Sequence, residues 1–316
     1  LLNQLGGFRI GFEGAQDWDL FLRLSENILA SQIRHIPRIL YHWRMIPGST
    51  SLEIDGKSYA VNAGKKVLED VIRRRSLDAV VQFDHQTEAF RIEYYLVKEP
   101  KVSLIILTRD KVDLLRKCVY SILDKTVYQN FELIIVDNGS EKEETKNYLK
   151  QLSESDSRVV VYRDEGEFNF PALNNQGVKK ASGEIIGLIN NDIEVINPQW
   201  LKEMVSHAIR EEVGVVGGRL LYPDGTIQHA GVITGIQGVA GHAFKNLKIT
   251  NPGRNGRAML IQNYSAVTAA CILFRKKVYN EVGGMDDANL AIAFNDIDFC
   301  LRIREKGYLI VYTPYA

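Results

Sequence analysis

The sequence has few cysteines, no surplus charge of either sign and no long apolar run. Cys118, Cys271 and Cys300 are odd in number and far apart. They form no disulfide framework, show no metal-ligand spacing and fit a reducing compartment. Lys plus Arg and Asp plus Glu each total 39 of 316 residues, so the net charge is zero. No basic excess points to nucleic acid as a partner. Runs such as 102–107 and 133–136 fall well short of the roughly 20 apolar residues that span a bilayer. No secretory leader opens the chain. Neither Gly-x-Gly-x-x-Gly nor a P-loop follows the first strong strand, where Thr108-Arg109-Asp110-Lys111 stands instead. A dinucleotide-binding oxidoreductase is therefore excluded.

What is present is ordinary globular composition, 45% hydrophobic and 25% charged. The length suits one large or two modest domains. The chain starts at Leu1 and stops at Ala316 without a closing element, so it reads as a piece of a longer protein. Residues 101–316 alternate strand and helix signals. Apolar runs at 102–107, 133–136, 158–162, 184–189 and 213–216 read as buried strands. Helical spacing covers 112–123, 171–181, 200–210 and 295–306, with Ser140 and Glu143 as a capping box for a helix to 152. This order predicts an α/β fold whose mostly parallel central sheet carries helices on both faces. Pro223-Asp224-Gly225-Thr226 predicts a hairpin turn, 235–257 a long Gly- and Asn-rich loop, and 268–274 and 308–312 further strands. Residues 59–75 predict a helix, and 83–97 a strand pair or an ordered linker.

The first residues repeat the last. Gly6-Gly7 followed by Asp17-x-Asp19 and Arg23 matches Gly283-Gly284 followed by Asp296-x-Asp298 and Arg302. Residues 33–37 match 310–314, both ending in Pro. The offset between Asp17 and Asp296 is 279 residues, too long for a solenoid and the size of a whole enzyme domain. The expected organisation is residues 1–50 as the end of a preceding copy, 51–100 as a helical and extended linker, and 101–316 as the next copy. Tyr41-His42-Trp43 follows Pro37, and its match in the second copy would lie just past Ala316.

Five segments in order now carry a resemblance: 102–110, Ile134-Ile135-Val136-Asp137-Asn138-Gly139-Ser140, Ala181-Ser182-Gly183-Glu184, Asn190-Asn191-Asp192, and Gly283-Gly284 with Asn295-Asp296. Together they resemble the family 2 glycosyltransferases, in particular the tandem-domain type of bacterial polysaccharide and O-antigen assembly. The resemblance implies a GT-A, Rossmann-like fold with a nucleotide sugar at the carboxyl ends of the strands, where open α/β sheets bind ligands in general. It implies a saccharide or lipid-linked saccharide acceptor, and a cytoplasmic location at the inner face of a membrane with peripheral contact to it.

Within that resemblance Thr108, Asp137, Asn175 and Asn191 line the nucleotide, and Asp192 holds a divalent metal, Mg2+ or Mn2+. A single carboxylate there still suits a shell completed by phosphate oxygens and water. Asp296 is the general base that takes the acceptor proton in an inverting displacement. His229, His242, Gly284 and Asp298 are further candidates for substrate contact, although Asp298 also pairs naturally with Arg302 one turn on. If a His stands at the position past Ala316 that matches His42, the resemblance implies that it serves as a metal ligand, as in some relatives. Two other readings stay open. A nucleotidyltransferase also uses a metal-bound Asp, but normally carries a Gly-rich basic loop after its first strand. A degraded domain acting as a scaffold would explain Asn at 190, 191 and 295.

Overall fold

The computed structural model describes residues 1–42, 58–85, 87–236 and 238–316. Trp43 and the rest of 43–57, where the first copy was expected to end and the linker to begin, lie outside the described residues. The chain divides into two compact units, Leu1–Tyr95 and Leu96–Ala316. Among the described residues no helix is long and apolar enough to cross a membrane.

The first unit contains helix α1 (Gln16–Ser25), helix α2 (Ser58–Arg74) and a hairpin of β1 (Ala79–Asp84) and β2 (Ala89–Tyr94). The segment expected as a linker is thus a helix and a hairpin in one unit with residues 1–42. A small core of Phe12, Ala15, Ala63 and Val67 joins the two helices. Asp19 is fully buried on α1, and such a charge needs partners. Arg9 and Arg23 supply them, and Arg9 also reaches Asp70 on α2 at 2.6 Å.

The second unit follows the predicted alternation. It runs β3 (Val102–Thr108), α3 (Val112–Lys125), β4 (Phe131–Asn138), α4 (Glu143–Ser155), β5 (Val159–Asp164), α5 (Phe170–Lys180), β6 (Ile185–Asn190), α6 (Trp200–Ala208) and β7 (Val213–Gly218). Short strands β8 (Leu220–Leu221) and β9 (Ile227–His229) form the expected hairpin, and β10 (Val232–Thr234), just before the predicted loop region, pairs with β11 (Ala240–His242) inside it. Then come β12 (Gln262–Asn263), β13 (Cys271–Arg275), α7 (Lys276–Glu281), α8 (Asn295–Glu305) and β14 (Leu309–Thr313).

Eight of these strands form one sheet in the order β12-β14-β7-β13-β6-β3-β4-β5. All its pairings are parallel except those of β13 with β6 and β7 and of β12 with β14. Successive residues of β3 face opposite ways, as a pleated strand requires. Leu104 and Ile106 join a core with α3, α4 and α6, whereas Ile105 joins another with α5, α7 and α8. Helices therefore cover both faces.

One local expectation fails. Ser140 does not cap α4, which starts at Glu143 behind Lys142 without a side-chain cap. The Ser140 hydroxyl instead accepts the Asp110 N–H at 2.8 Å, and Asp110 accepts the Lys142 N–H at 3.0 Å. The competing donor comes from a neighbouring loop that sequence spacing does not reveal. Asp110 and Lys111 both hold φ of +54°, a sharp turn between β3 and α3 that these bonds stabilise.

Candidate active site

The carboxyl ends of β3, β4 and β6 form one edge. Thr108 lies directly opposite Asp137, and Leu107 opposite Asn190. The buried Asp137 carboxylate accepts the Ser140 N–H at 3.0 Å and an Arg163 Nη1–H at 2.7 Å. The first bond is the turn that Asn138-Gly139 favours, and the second fixes the other oxygen. Asn191 donates from its amide to the Thr108 hydroxyl at 3.3 Å, which ties the β6 end to the β3 end. Asp192 follows as an exposed carboxylate, with no hydrogen bond or ion pair among the described residues.

Asp296 arrives from the other end of the chain. The antiparallel strand β13 begins beside the end of β6, with Cys271 opposite Ile189, and Ala270 accepts the Asn190 N–H. Next to it the Ala269 N–H donates to Asp296 at 3.2 Å, while the other Asp296 oxygen accepts its neighbour Ile297 N–H at 2.9 Å. Asp137, Asp192 and Asp296 thus come to one edge of the sheet.

The family model of glycosyl transferase family 2 matches residues 103–283, more than half of the chain. The chain belongs to glycosyl transferase family 2. It is 46% identical to the uncharacterized protein y4gI of Sinorhizobium fredii over 317 residues, covering 100% of this chain and 35% of that protein. It is 40% identical to the O-antigen biosynthesis protein RfbC of Myxococcus xanthus over 315 residues, covering 99% of this chain and 24% of that one. The chain therefore spans about a third and about a quarter of these curated relatives. Among solved structures, the mannosyltransferase PcManGT of Pyrobaculum calidifontis, in complex with GDP-Man and Mn2+, shares the fold. Its TM-score is 0.53 at 14% identity, over 81% of this chain and 64% of that one.

Other family 2 candidates fall into two groups. His229 and His242 meet, with Nδ1 to Nδ1 at 3.0 Å. His229 is fully buried, and burial lowers its pKa from the usual 6.5 to about 3. Burial also lowers that of His242, against the attraction of the Asp296 charge. The remaining candidates serve the Gly-Gly loop. Asn175, expected at the nucleotide, accepts from the Tyr279 hydroxyl and the Met285 N–H, and donates to the Met285 carbonyl and to Asp287. Its amide is fully engaged in holding that loop on α5. Gly284 has φ of +79°, and a Cβ there would lie 2.9 Å from the Asn175 oxygen. Asp298 pairs with Arg302 at 2.8 Å, and Arg302 also donates to the carbonyls of Val282 and Gly284.

Sequence reading missed Arg163, Asp110 and Ser140. Arg163 lies directly across β4–β5 from Asp137, so aligning those two strands would have paired them. Nothing in the spacing marks the Ser140–Asp110 bond, which joins two loops 30 residues apart.

Proposed function

We propose that residues 96–316 move a sugar from a nucleotide-sugar donor to a hydroxyl of a saccharide or lipid-linked saccharide, with inversion, in cell-surface polysaccharide assembly at the cytoplasmic face of a membrane. The single observation that carries this reading is the arrival of Asp137, Asp192 and Asp296 at one sheet edge. Likeness to an O-antigen biosynthesis protein supports the polysaccharide setting, and the GDP-Man and Mn2+ of the mannosyltransferase support a nucleotide donor and a divalent ion. Thr108, Asp137 and Asn191 hold the nucleotide.

Among the described residues no three His, Cys, Asp or Glu side chains form a metal-ligand set. The exposed, unpaired Asp192 nevertheless fits Mg2+ or Mn2+, which usually keep several waters and take substrate phosphates as ligands. Such an ion, when bound, stabilises the charge gathering on the departing diphosphate. Asp296 takes the acceptor proton as the hydroxyl attacks the anomeric carbon from the face opposite the diphosphate. Its two backbone hydrogen bonds fix the carboxylate and leave lone pairs for that proton.

Residues 1–42 belong to this reading as the closing segment of a second copy of the same domain. The scaffold alternative loses one of its supports, since the Asn295 amide donates to the Leu290 carbonyl, a bond that a carboxylate in its place would not make. A thermal-shift screen of UDP, GDP, dTDP and CMP sugars with and without Mn2+ tests the reading. One donor should stabilise the protein, and Asp192→Ala should remove only the metal-dependent part. Equal stabilisation of both proteins under both conditions overturns the role of Asp192.

A further inference from the structure

The two histidines do more than pack. We propose that His229 locks His242 into a single neutral form whose Nε2–H is a hydrogen-bond donor for a hydroxyl oxygen of the acceptor saccharide beside Asp296. The role rests on Asp296 marking the acceptor side of the site.

The locking follows from proton accounting. The Gly231 N–H points at His229 Nε2 at 3.3 Å, so that nitrogen carries a lone pair. The neutral ring then bears its hydrogen on Nδ1 and donates it to His242 Nδ1 at 3.0 Å. His242 must accept there, which leaves its hydrogen on Nε2. A further proton on either ring would set N–H against N–H or against the Gly231 N–H. Both histidines accordingly hold a pKa below the usual value, with burial as the largest cause. The groups that face them are few. His229 meets His242 and the Tyr312 ring, 6.4 Å between centroids, while Asp296 and Lys245 act on His242 with opposite sign.

The position follows from the strands. His242 lies opposite Val232, which also bridges to Ala266, three residues before the Ala269 N–H that holds Asp296. His242 is half-buried, and no described residue accepts its Nε2–H. A protonated Nε2 has no lone pair for a metal, so the ring suits an uncharged oxygen ligand.

Ring 15N NMR of the 316-residue chain tests both parts. His242 should show the Nε2–H tautomer and titrate below the usual 6.5. His229→Leu should give mixed tautomers, because nothing then fixes the hydrogen of His242. A wild-type His242 carrying its hydrogen on Nδ1 overturns the lock. So does a His242 that keeps a pure Nε2–H tautomer in the variant. If His229→Leu does not fold, the wild-type tautomer alone decides. For the ligand, methyl glycosides of glucose, galactose, mannose and N-acetylglucosamine serve as probes. At least one should shift the His242 Nε2 resonance, and His242→Ala should weaken its binding about tenfold while His242→Gln, which keeps an N–H, restores most of it. A ring that no glycoside perturbs overturns the donor role. Nucleotide binding with its Asp192-dependent metal effect is read separately, so its loss would instead count against the transferase reading.

Discussion

The turns before α1 and α8 use the same hydrogen bonds 277 residues apart. Leu5, Gly6 and Gly7 donate to the carbonyls of Leu1, Asn3 and Leu2; Val282, Gly283 and Gly284 donate to those of Val278, Asn280 and Tyr279. Arg23 clamps the Leu5 and Gly7 carbonyls, and Arg302 clamps those of Val282 and Gly284. Each Arg pairs with an Asp one turn earlier, and Asp17 and Asp296 each accept the next residue's N–H at 2.9 Å. The surroundings differ. Phe8 and Phe21 are each 66% exposed, whereas their counterparts Met285 and Cys300 are 2% and 0% exposed under the sheet. Residues 33–37 have no regular structure, whereas their counterparts belong largely to β14. The turn closes its own hydrogen bonds and forms in either setting. A strand needs a neighbouring strand to accept its N–H groups; β7 and β12 flank β14, whereas 33–37 pairs with no strand among the described residues.

Substitutions at matching positions sharpen this comparison, and catalysis should give the largest effect. Asp296→Asn should lower transfer about 10²–10⁴-fold, the usual range for a general base, with nucleotide binding retained. Asp17→Asn should leave transfer by the second unit unchanged. Initial-rate assays with the donor from the thermal-shift screen decide it, and loss of nucleotide binding in Asp296→Asn would mean that the fold had been damaged.

Next in size is the clamp. Arg23 is buried and its loss leaves Asp19 with one cation, so Arg23→Ala should cost the first unit about 3–5 kcal/mol. Arg302 is partly exposed, and Arg302→Ala should cost the second unit about 1–3 kcal/mol. Urea unfolding followed by Trp18 for the first unit and Trp200 for the second reads both, and a reversed order would break the comparison.

Acid should separate the units as well. His229 is neutral when folded, with its pKa lowered to about 3, so the unfolded chain binds the extra proton first. Stability of the second unit should therefore fall as pH drops below the usual 6.5 and continue to fall toward 3, by up to about 1.4 kcal/mol per pH unit for His229. In the first unit Asp19, Glu26 and Asp70 have lowered pKa values, where pairing with arginines outweighs burial. Their contribution is present above the usual 3.8–4.5 and is lost only below it. Unfolding midpoints from pH 7 to pH 4 should drop for the second unit first.

The smallest contrast lies at the glycines. Gly7→Ala meets no atom within 4 Å and carries only the left-handed penalty of about 1–2 kcal/mol. Gly284→Ala adds contacts with Asn175 and Tyr279 under 3.2 Å and should cost more, as paired thermal melts would register.

Much of this was legible beforehand. Alternating apolar runs announced the strands, and helical spacing announced α3, α5, α6 and α8, because each element buries one face at a fixed period. The repeat announced both turns. Less legible was anything that depends on a partner distant in sequence. The antiparallel direction of β13, the Ser140–Asp110 bond and the engagement of Asn175 by the Gly-Gly loop are all of this kind.

By itself, the sequence determined the order of the elements, the two self-contained turns and the residue types available for chemistry, since these depend on neighbours a few positions away. Only the tertiary structure decided that Asp296 reaches the edge carrying Asp137 and Asp192, and that His229 meets His242. Those outcomes rest on strand register and burial, which arise only once distant segments pack.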